Sequence, residues 1–360
     1  MRSYLDEVDF PAIQKRFDAF WQRQVLDRPV ICIAAPRSEQ KRPDFPTPDT
    51  PQERWLDIEY QLKSHELAME NTVYLGDAFP SYYPNIGPDS FTAFLGAELR
   101  FVDDSTSWAV PFVEDLREWE PALDPQNRWW RLIVDMMDAA CEAARGRYVV
   151  GLPDLHGGGD ALSAARHPDR LALDLYDKPR EVKRLMRRMT EIYIEVCEAY
   201  FGKTSRVQEG STTWLHAYSR GRYTALQNDF SGLSSPAMFR EFFREDIARL
   251  ADYLDNSIYH LDGPTALGNL DDLLSIEALD GIQWVQGAGA PPMSQWVDVC
   301  RRVLEAGKCL HVSCTPGEVE FLLSRLPHGG LCICTGCASE EEGRALLRKV
   351  ESAARKRRRG

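Results

Sequence analysis

The sequence predicts one (β/α)8 barrel, a TIM barrel, with its active site at the carboxyl ends of the strands. Short β-branched runs alternate with longer stretches of helical periodicity, and eight such runs can be counted along the 360 residues. Strand–helix alternation with short connections is typical of parallel strands, and eight repeats close into a barrel. The length suits a barrel with insertions, so residues 1–360 are expected to form a single domain.

The eight predicted strands are rich in valine, isoleucine, tyrosine and cysteine and are flanked by glycine or proline. In chain order they are residues 30–33, 71–76, 148–152, 206–209, 257–261, 282–285, 310–313 and 331–335. A further extended run, residues 223–228, does not fit the count, and we interpret it as an inserted strand or loop.

Amphipathic stretches between the strands predict the outer helices. They cover residues 178–200, 235–254, 294–306, 317–326 and 340–350. Ser235, and Thr315 with Glu318, are typical helix N-caps. Residues 1–29 are expected to form a helical extension and residues 36–56 an irregular loop. Residues 79–127 are expected to form an inserted hairpin over the barrel mouth, because prolines and aromatic residues are frequent there.

Charge and composition exclude several classes of function. The formal net charge is −12, which argues against a nucleic-acid partner; the basic run Lys356–Arg359 is interpreted as a solvated terminus. No run of 18 apolar residues predicts a membrane span, and the first ten residues lack the apolar core of a signal peptide. Nine cysteines, an odd number, suit a reducing compartment, so we expect a cytoplasmic protein.

The third predicted strand leads into a glycine-rich loop, residues 152–160 (LPDLHGGGD). Glycines would let the backbone approach a ligand closely, with His156 available to move a proton. The alternative is a flexible turn with an N-cap aspartate. The loop lacks the pattern of a nucleotide-binding loop.

Two further carboxylates lie at the ends of extended runs. Glu209, at the end of the fourth strand, is either a base or metal ligand, or a buried structural acid paired with Arg222. Asp229, which follows the additional run, is either a proton-transfer group or a turn residue.

The fifth strand carries His260 and Asp262, two residues apart and therefore on one face. The last strand ends in Cys337, after Cys332 and Cys334, which also share a face. His260, Asp262 and Cys337 would give a three-ligand zinc site with one open position, as in catalytic zinc centres. The alternatives are that His260 is a core histidine and that Cys332 and Cys334 are small buried apolar residues. Reserve ligands are His311 and Cys314.

The substrate pocket is predicted from side chains on or just after strands. Trp284 and Gln286 share one face by the period-two rule, although Trp284 could instead face the outer helices. The predicted pocket residues are Trp214, His216, Tyr259, Trp284 and Gln286.

Three segments resemble the uroporphyrinogen decarboxylase superfamily. They are residues 228–243 (NDFS, LSSP and FREFF), 259–263 (YHLDG) and 329–337 (GG followed by TGC). The resemblance covers residues 145–350 and implies a (β/α)8 barrel. The superfamily contains porphyrinogen decarboxylases and zinc-dependent methyltransferases that exchange methyl groups with corrinoid proteins and thiols.

The methyltransferase branch is the closer of the two. The decarboxylases carry an arginine-rich signature near the first strand, which residues 28–37 (RPVICIAAPR) lack. The methyltransferases carry His-x-Cys after strand five and a cysteine after strand eight as zinc ligands. His260 and Cys337 match that pattern, and Asp262 replaces the middle cysteine with a harder ligand.

These observations leave three hypotheses. The first is a zinc-assisted methyltransferase with a small-molecule substrate, in which Glu209, His156 or Asp229 moves protons; the resemblance implies a corrinoid (cobalamin) protein as methyl carrier, and a homodimer is considered. The second is a metal-free decarboxylase or lyase in which His260 and Asp262 act as acid and base. The third is a binding barrel without catalysis.

Overall fold

The computed structural model describes residues 3–359, with side chains as far as residue 355. The side chains of Lys356–Arg359, interpreted above as a solvated tail, lie outside the described residues. Within the described chain, no helix combines the length and the apolar character needed to cross a bilayer.

Seven strands form the central sheet, in the order β2-β1-β11-β10-β9-β8-β7. From β1 to β7 all neighbours are parallel, and β2 pairs antiparallel with β1. The strands of the described residues are β1 (Val30–Pro36), β2 (Thr72–Gly76), β3 (Ser81–Tyr82), β4 (Glu98–Phe101), β5 (Ser107–Val110), β6 (Val149–Val150), β7 (Tyr223–Gln227), β8 (Asn256–Asp262), β9 (Gly281–Val285), β10 (Cys309–Ser313) and β11 (Leu331–Gly336).

Helices alternate with the strands of the second half of the chain, as predicted. The capping box of Thr315 and Glu318 is confirmed, and the Ser235 side chain accepts a hydrogen bond from Met238 N at 3.3 Å. The α-helices are α1 (Phe10–Trp21), α2 (Pro51–Leu56), α3 (Ile58–Glu70), α4 (Ser90–Phe94), α5 (Arg128–Ala144), α6 (Gly158–Arg166), α7 (Pro168–Asp177), α8 (Pro179–Thr204), α9 (Pro236–Phe242), α10 (Arg244–Tyr253), α11 (Gly263–Ala266), α12 (Leu270–Leu274), α13 (Val297–Glu305), α14 (Pro316–Arg325) and α15 (Glu340–Arg359). Short 3-10 helices cover Leu5–Glu7, Asp229–Leu233, Leu267–Asn269 and Met293–Trp296.

One of the eight predicted strands is wrong, and the interpretation of two further runs is corrected. Residues 206–209 form no strand, because the Gln208 side chain bonds to both the N–H and the C=O of Val150, at 2.7 and 2.9 Å, where a neighbouring strand would pair. The run interpreted as an insertion is β7, which pairs directly with β8. The second strand, β2, is antiparallel because α3 delivers the chain to the carboxyl end of β1, where Thr72 pairs with Pro36.

The hydrogen-bonded sheet is open, with β2 and β7 at its edges. A separate parallel pair, β3 with β6, is connected to the segment before β7 by one bridge between Leu152 and Thr213. The fold is therefore mixed α/β with a mostly parallel central sheet, and closure into an eight-stranded barrel stays a prediction.

The sheet is nevertheless strongly curved. Cys32 on β1 and Ala225 on β7 belong to one buried hydrophobic cluster, although four strands separate β1 from β7. Helix α1 packs into the same cluster: Phe20 O accepts a hydrogen bond from Cys309 Sγ at 3.1 Å, and the Trp21 ring lies 5.4 Å from Tyr223. Because α1 contacts the first residues of β7 and β10, it covers the amino ends of the strands and leaves the carboxyl ends for function.

A buried ion-pair network holds the beginning of β1. Asp77 is fully buried, accepts hydrogen bonds from Arg28 and from Arg16 (3.0 Å), and also accepts from Ile31 N at 2.9 Å. These contacts join α1, β1 and the end of β2.

The inserted region contains the predicted hairpin, formed by β4 and β5. The loop predicted for residues 36–56 is irregular only as far as residue 50. Thr50 and Glu53 form a capping box there, and α2 begins at Pro51.

Candidate functional site

A row of inward-facing polar side chains crosses five parallel strands in register. Gln227 pairs with His260, His260 with Gln283, Gln283 with His311, and His311 with Cys332. We call this row the polar layer. The residues before and after each member pack against the outer helices, since side chains alternate between the two faces of a strand. A group of carboxylates adjoins the layer at its β7 end, and a group of thiols adjoins it at its β11 end.

The carboxylate site lies at the ends of β6, β7 and β8. Asp229, His260 and Asp262 each offer a ligand atom, and these atoms lie within 4.8 Å of one another. His156, Asp160 and Asp229 form a second group under the same limit, so Asp229 belongs to both. Asp229 and Asp262 are exposed, whereas Asp160 is buried. Five potential ligands therefore cluster at the ends of these strands.

Close packing of the glycine-rich loop positions the second group. A Cβ on Gly159 would lie 2.5 Å from Asn228 Oδ1, so the loop approaches the end of β7 at a distance that only glycine permits. Asp160 then accepts hydrogen bonds from the backbone N–H groups of Asp229 (2.9 Å) and Phe230 (2.7 Å). The glycines therefore bring the loop against another strand end, and its approach to a ligand stays a prediction.

Crowding of acids changes their protonation. Burial raises the pKa of Asp160 to about 6, opposed by His156 and reinforced by Asp229. Partial desolvation also raises the pKa of Asp229, which His260 and His156 oppose and Asp262 reinforces. Burial lowers the pKa of His156, but Asp154, Asp160 and Asp229 outweigh burial and raise it overall. The carboxylate site can therefore hold a proton near neutral pH.

Gln283 orients the imidazole of His260. Its Oε1 lies 2.6 Å from His260 Nδ1, so an amide oxygen at this position places the proton on Nδ1 and leaves the lone pair on Nε2. The Trp214 ring contacts the same imidazole edge-on, with centroids 5.1 Å apart. His260 is thus held by a hydrogen bond and an aromatic contact, the arrangement typical of metal-binding histidines.

The thiol cluster consists of Cys32, Cys332 and Cys334 on the neighbouring strands β1 and β11. Their sulfur atoms lie within 4.8 Å of one another, so the cluster could bind a metal ion. His311 Nε2, on β10, lies 3.3 Å from Cys334 Sγ. Cys332 is completely buried and Cys32 nearly so.

Charge in the thiol cluster is concentrated on one sulfur. Hydrogen bonds from Cys32 and Cys332 hold the pKa of Cys334 well below its usual range despite burial, and His311 lowers it further. The pKa of Cys332 is raised by the same thiol contacts and by burial. Cys334 is therefore the first thiol of the cluster to ionise.

A cavity of about 320 Å³ opens onto the thiol cluster. Its walls are mostly apolar and include the carboxyl ends of β1 and β11. The main lining residues are Cys32, Ala34, Phe79, His216, Cys314 and Cys334.

Comparison with solved structures finds a similar fold in a methyltransferase from Methanosarcina mazei. The TM-score is 0.62 at 15% sequence identity, over 94% of this chain and 98% of that chain. At this identity the likeness is one of fold, and activity has to be argued from the site. The sequence matches no protein-family model and no curated protein.

The structure separates Cys337 from His260 and Asp262. Its backbone N donates to Ala34 O at 2.9 Å, and its side chain packs in the outer core, within 3.8 Å of a Cβ placed on Gly343 of α15. Cys337 faces the helices because β11 ends at Gly336 with the thiol of Cys334 on the inner face. Asp229, rather than Cys337, lies within 4.8 Å of potential ligand atoms of His260 and Asp262.

Glu209 also lies away from the carboxyl ends of the strands. It is exposed and pairs with Arg220 at 3.2 Å, and Arg220 pairs in turn with Asp18 of α1 at 2.9 Å. Glu209 is therefore not the predicted buried acid, and its partner is Arg220 rather than Arg222.

The predicted pocket is only partly assembled. Trp214 contacts His260, and His216 lines the cavity beside the thiol cluster. Tyr259 and Trp284 point outwards into the helix-facing core, where the Trp284 ring packs 5.2 Å from Trp296. Gln286 follows the end of β9 and is half-buried.

Sequence reasoning missed three residues of the site: Cys32, Asp160 and Gln283. The inward position of Gln283 follows from its pairing with His260, which places Trp284 on the opposite face. Cys32 could have been found from the adjacency of the first and last strands that a closing sheet implies. Asp160 was visible only as a loop aspartate.

Proposed function

We propose that this chain is a metal-assisted enzyme of the methyltransferase type, working at the carboxylate site. The observation that carries the proposal is the convergence of Asp229, His260 and Asp262 at the ends of β7 and β8. The name of the similarly folded methyltransferase and the resemblance of residues 145–350 to the zinc methyltransferases support the same class of reaction.

These residues fit a catalytic zinc ion. Two carboxylates and one imidazole give three protein ligands and leave a position open for substrate. Gln283 supplies the hydrogen bond that such a histidine ligand usually makes with its other nitrogen. The site offers a carboxylate oxygen in place of the expected thiolate sulfur. Its ligands are therefore harder than those of the methyltransferases that the chain resembles.

Bound zinc would acidify a thiol or hydroxyl of a small-molecule substrate near neutral pH. His156, with Asp160 and Asp229 beside it, is placed to accept the released proton. Trp214 forms an apolar wall next to His260. A corrinoid protein docking at the carboxyl ends of the strands is the proposed methyl donor: the methyl group passes to the substrate sulfur or oxygen, and the corrinoid keeps the electron pair of the broken bond.

The test is metal analysis followed by an activity assay on protein purified without a histidine tag. We expect one zinc ion at the carboxylate site, which His260→Ala removes, and zinc-dependent demethylation of methylcobalamin by small thiols or alcohols, followed by absorbance. A protein that binds no metal at this site would overturn the proposal.

A metal-free lyase is the second candidate, because one observation favours it. The pKa of Asp160 is raised to about 6 and that of His156 is also raised, as expected of an acid–base pair. Activity on a carboxylated substrate that persists after exhaustive chelation would favour the lyase over the methyltransferase.

A further inference from the structure

The thiol cluster takes no part in the proposed reaction, and strand pairing sets the positions of its three cysteines. Cys32 and Cys334 are directly paired across β1 and β11, and Cys332 lies two residues before Cys334 on the same face. Three thiolates around a tetrahedral zinc with bonds of about 2.3 Å lie roughly 3.8 Å apart. The three sulfur atoms here already lie within 4.8 Å of one another. Only small side-chain rotations would therefore complete the coordination.

Packing alone explains other buried cysteines better than these. Cys309 is also buried on the inner face, but its thiol donates to Phe20 O at 3.1 Å and it has no cysteine or histidine partner. In the thiol cluster, by contrast, three thiols lie within 4.8 Å of one another and one of them contacts an imidazole. Free cysteines used as small apolar residues have no need to meet.

Two further buried side chains lie at the cluster. The imidazole of His311, only 2% exposed, has its Nε2 3.3 Å from Cys334 Sγ, and a hydrogen bond with the backbone of Leu215 helps to hold it there. Tyr223, completely buried in the same hydrophobic cluster, has a hydroxyl without a hydrogen-bond partner. Three thiols and one imidazole, all potential zinc ligands, therefore meet at one place.

We propose that Cys32, Cys332 and Cys334 form a second metal site that binds zinc through three thiolates. The site is independent of the carboxylate site: it lies at the other end of the polar layer, with the strands β9 and β10 between them. Cys332 lies at the closed side, while Cys32 and Cys334 line the cavity of about 320 Å³. The fourth coordination position therefore faces the cavity, where water or a small ligand can bind. His311 supports the ion through its contact with Cys334.

Cobalt substitution tests the site directly. Metal-free protein is titrated with Co²⁺, which produces an intense thiolate-to-cobalt absorption band only when sulfur is a ligand. We expect about one equivalent of this band, removed by added zinc, and three sulfur neighbours at about 2.3 Å in the zinc X-ray absorption spectrum.

Variants assign the band to its ligands. Cys32→Ala and Cys334→Ala should each abolish it or weaken cobalt binding at least 100-fold. The control Cys197→Ala removes another fully buried cysteine outside the cluster and should leave the band unchanged. His260→Ala should also leave it unchanged, which separates this site from the proposed catalytic one.

A measurement on the unmutated protein covers the case in which the variants fail to fold. Zinc should protect Cys32 and Cys334 from alkylation in the native state, detected by mass spectrometry, with no change at Cys314. The absence of a thiolate band at several equivalents of cobalt, or equal alkylation with and without zinc, would overturn the proposal.

Discussion

The carboxylate site and the thiol cluster lie at opposite ends of one polar layer and differ in their donor atoms. The first combines the exposed carboxylates of Asp229 and Asp262 with the buried Asp160 and two imidazoles, and Asp229 and Asp160 lie in segments that follow strands. The second consists of three sulfur donors that all lie within strands, two of them buried and one half-buried. A strand fixes its side chains through the backbone ladder, whereas a loop group can adjust to substrate. One curved sheet can therefore carry a site of sulfur ligands that strands hold in place, and next to it a site of harder ligands that lie partly in segments after strands.

Charge follows the same division. Protons collect at the carboxylate site, where the pKa values of Asp160, Asp229 and His156 are all raised. Negative charge collects at the thiol cluster, where the pKa of Cys334 is lowered. The difference arises because burial raises the pKa values of the two carboxyls of the first site and neighbouring acids raise that of His156, whereas in the second site the other two thiols and His311 favour one thiolate.

The largest expected effect concerns Asp77, which holds the beginning of β1, one of the two strands of the thiol cluster. Asp77→Ala leaves Arg28 buried without its partner, so we expect the free energy of unfolding to fall by about 3–5 kcal/mol. Denaturation by urea measures this loss. The control Asp27→Ala removes the half-exposed partner of Arg16 and should cost less than about 1 kcal/mol. Equal losses for the two variants would mean that β1 is not held by this buried pair.

The next effect separates a ligand from the residue that orients it. His260→Ala should weaken zinc binding at the carboxylate site more than 100-fold, because it removes a ligand. Gln283→Leu removes only the hydrogen bond to Nδ1 and should weaken it about 10- to 100-fold. Competition with a coloured chelator measures both. If Gln283→Leu had the larger effect, His260 would not be the ligand.

A smaller effect tests the protonation of Asp160 in the carboxylate site. The folded-state pKa of Asp160, about 6, lies above the usual value of an aspartate, so this carboxyl stabilises the fold below about pH 4 and that contribution is lost as pH rises through 6. Asp160→Asn cannot ionise, so the wild-type protein should lose stability relative to this variant between pH 4 and pH 7. Urea unfolding across this range measures the difference, and parallel pH profiles would show that Asp160 titrates normally.

The smallest effect is expected at Cys337. Cys337→Ala should leave zinc bound at both sites and change the free energy of unfolding by less than about 1.5 kcal/mol, because the side chain packs in the outer core as a small apolar group. Metal analysis and urea unfolding check this outcome. Loss of zinc from the carboxylate site would restore Cys337 as a ligand.

Local pattern was sufficient for much of the fold. Seven of the eight predicted strands are present, and the helices of the second half of the chain lie where periodicity places them. The fourth predicted strand is absent, because a side-chain amide, Gln208, bonds to β6 in place of a backbone ladder. A contact of this kind has no periodicity and leaves no local signal.

The sequence by itself determined which residues share a strand face, because side-chain alternation depends only on the backbone of one strand. That is why the pairings of His260 with Asp262, and of Cys332 with Cys334, were predictable. Tertiary structure alone decided which strands are neighbours and which face of each points inwards. It joined Asp229 rather than Cys337 to His260, brought Cys32 to the thiols of β11, and turned Gln283 inwards in place of Trp284. These outcomes depend on strand order and register between segments far apart in the chain, which no local pattern encodes.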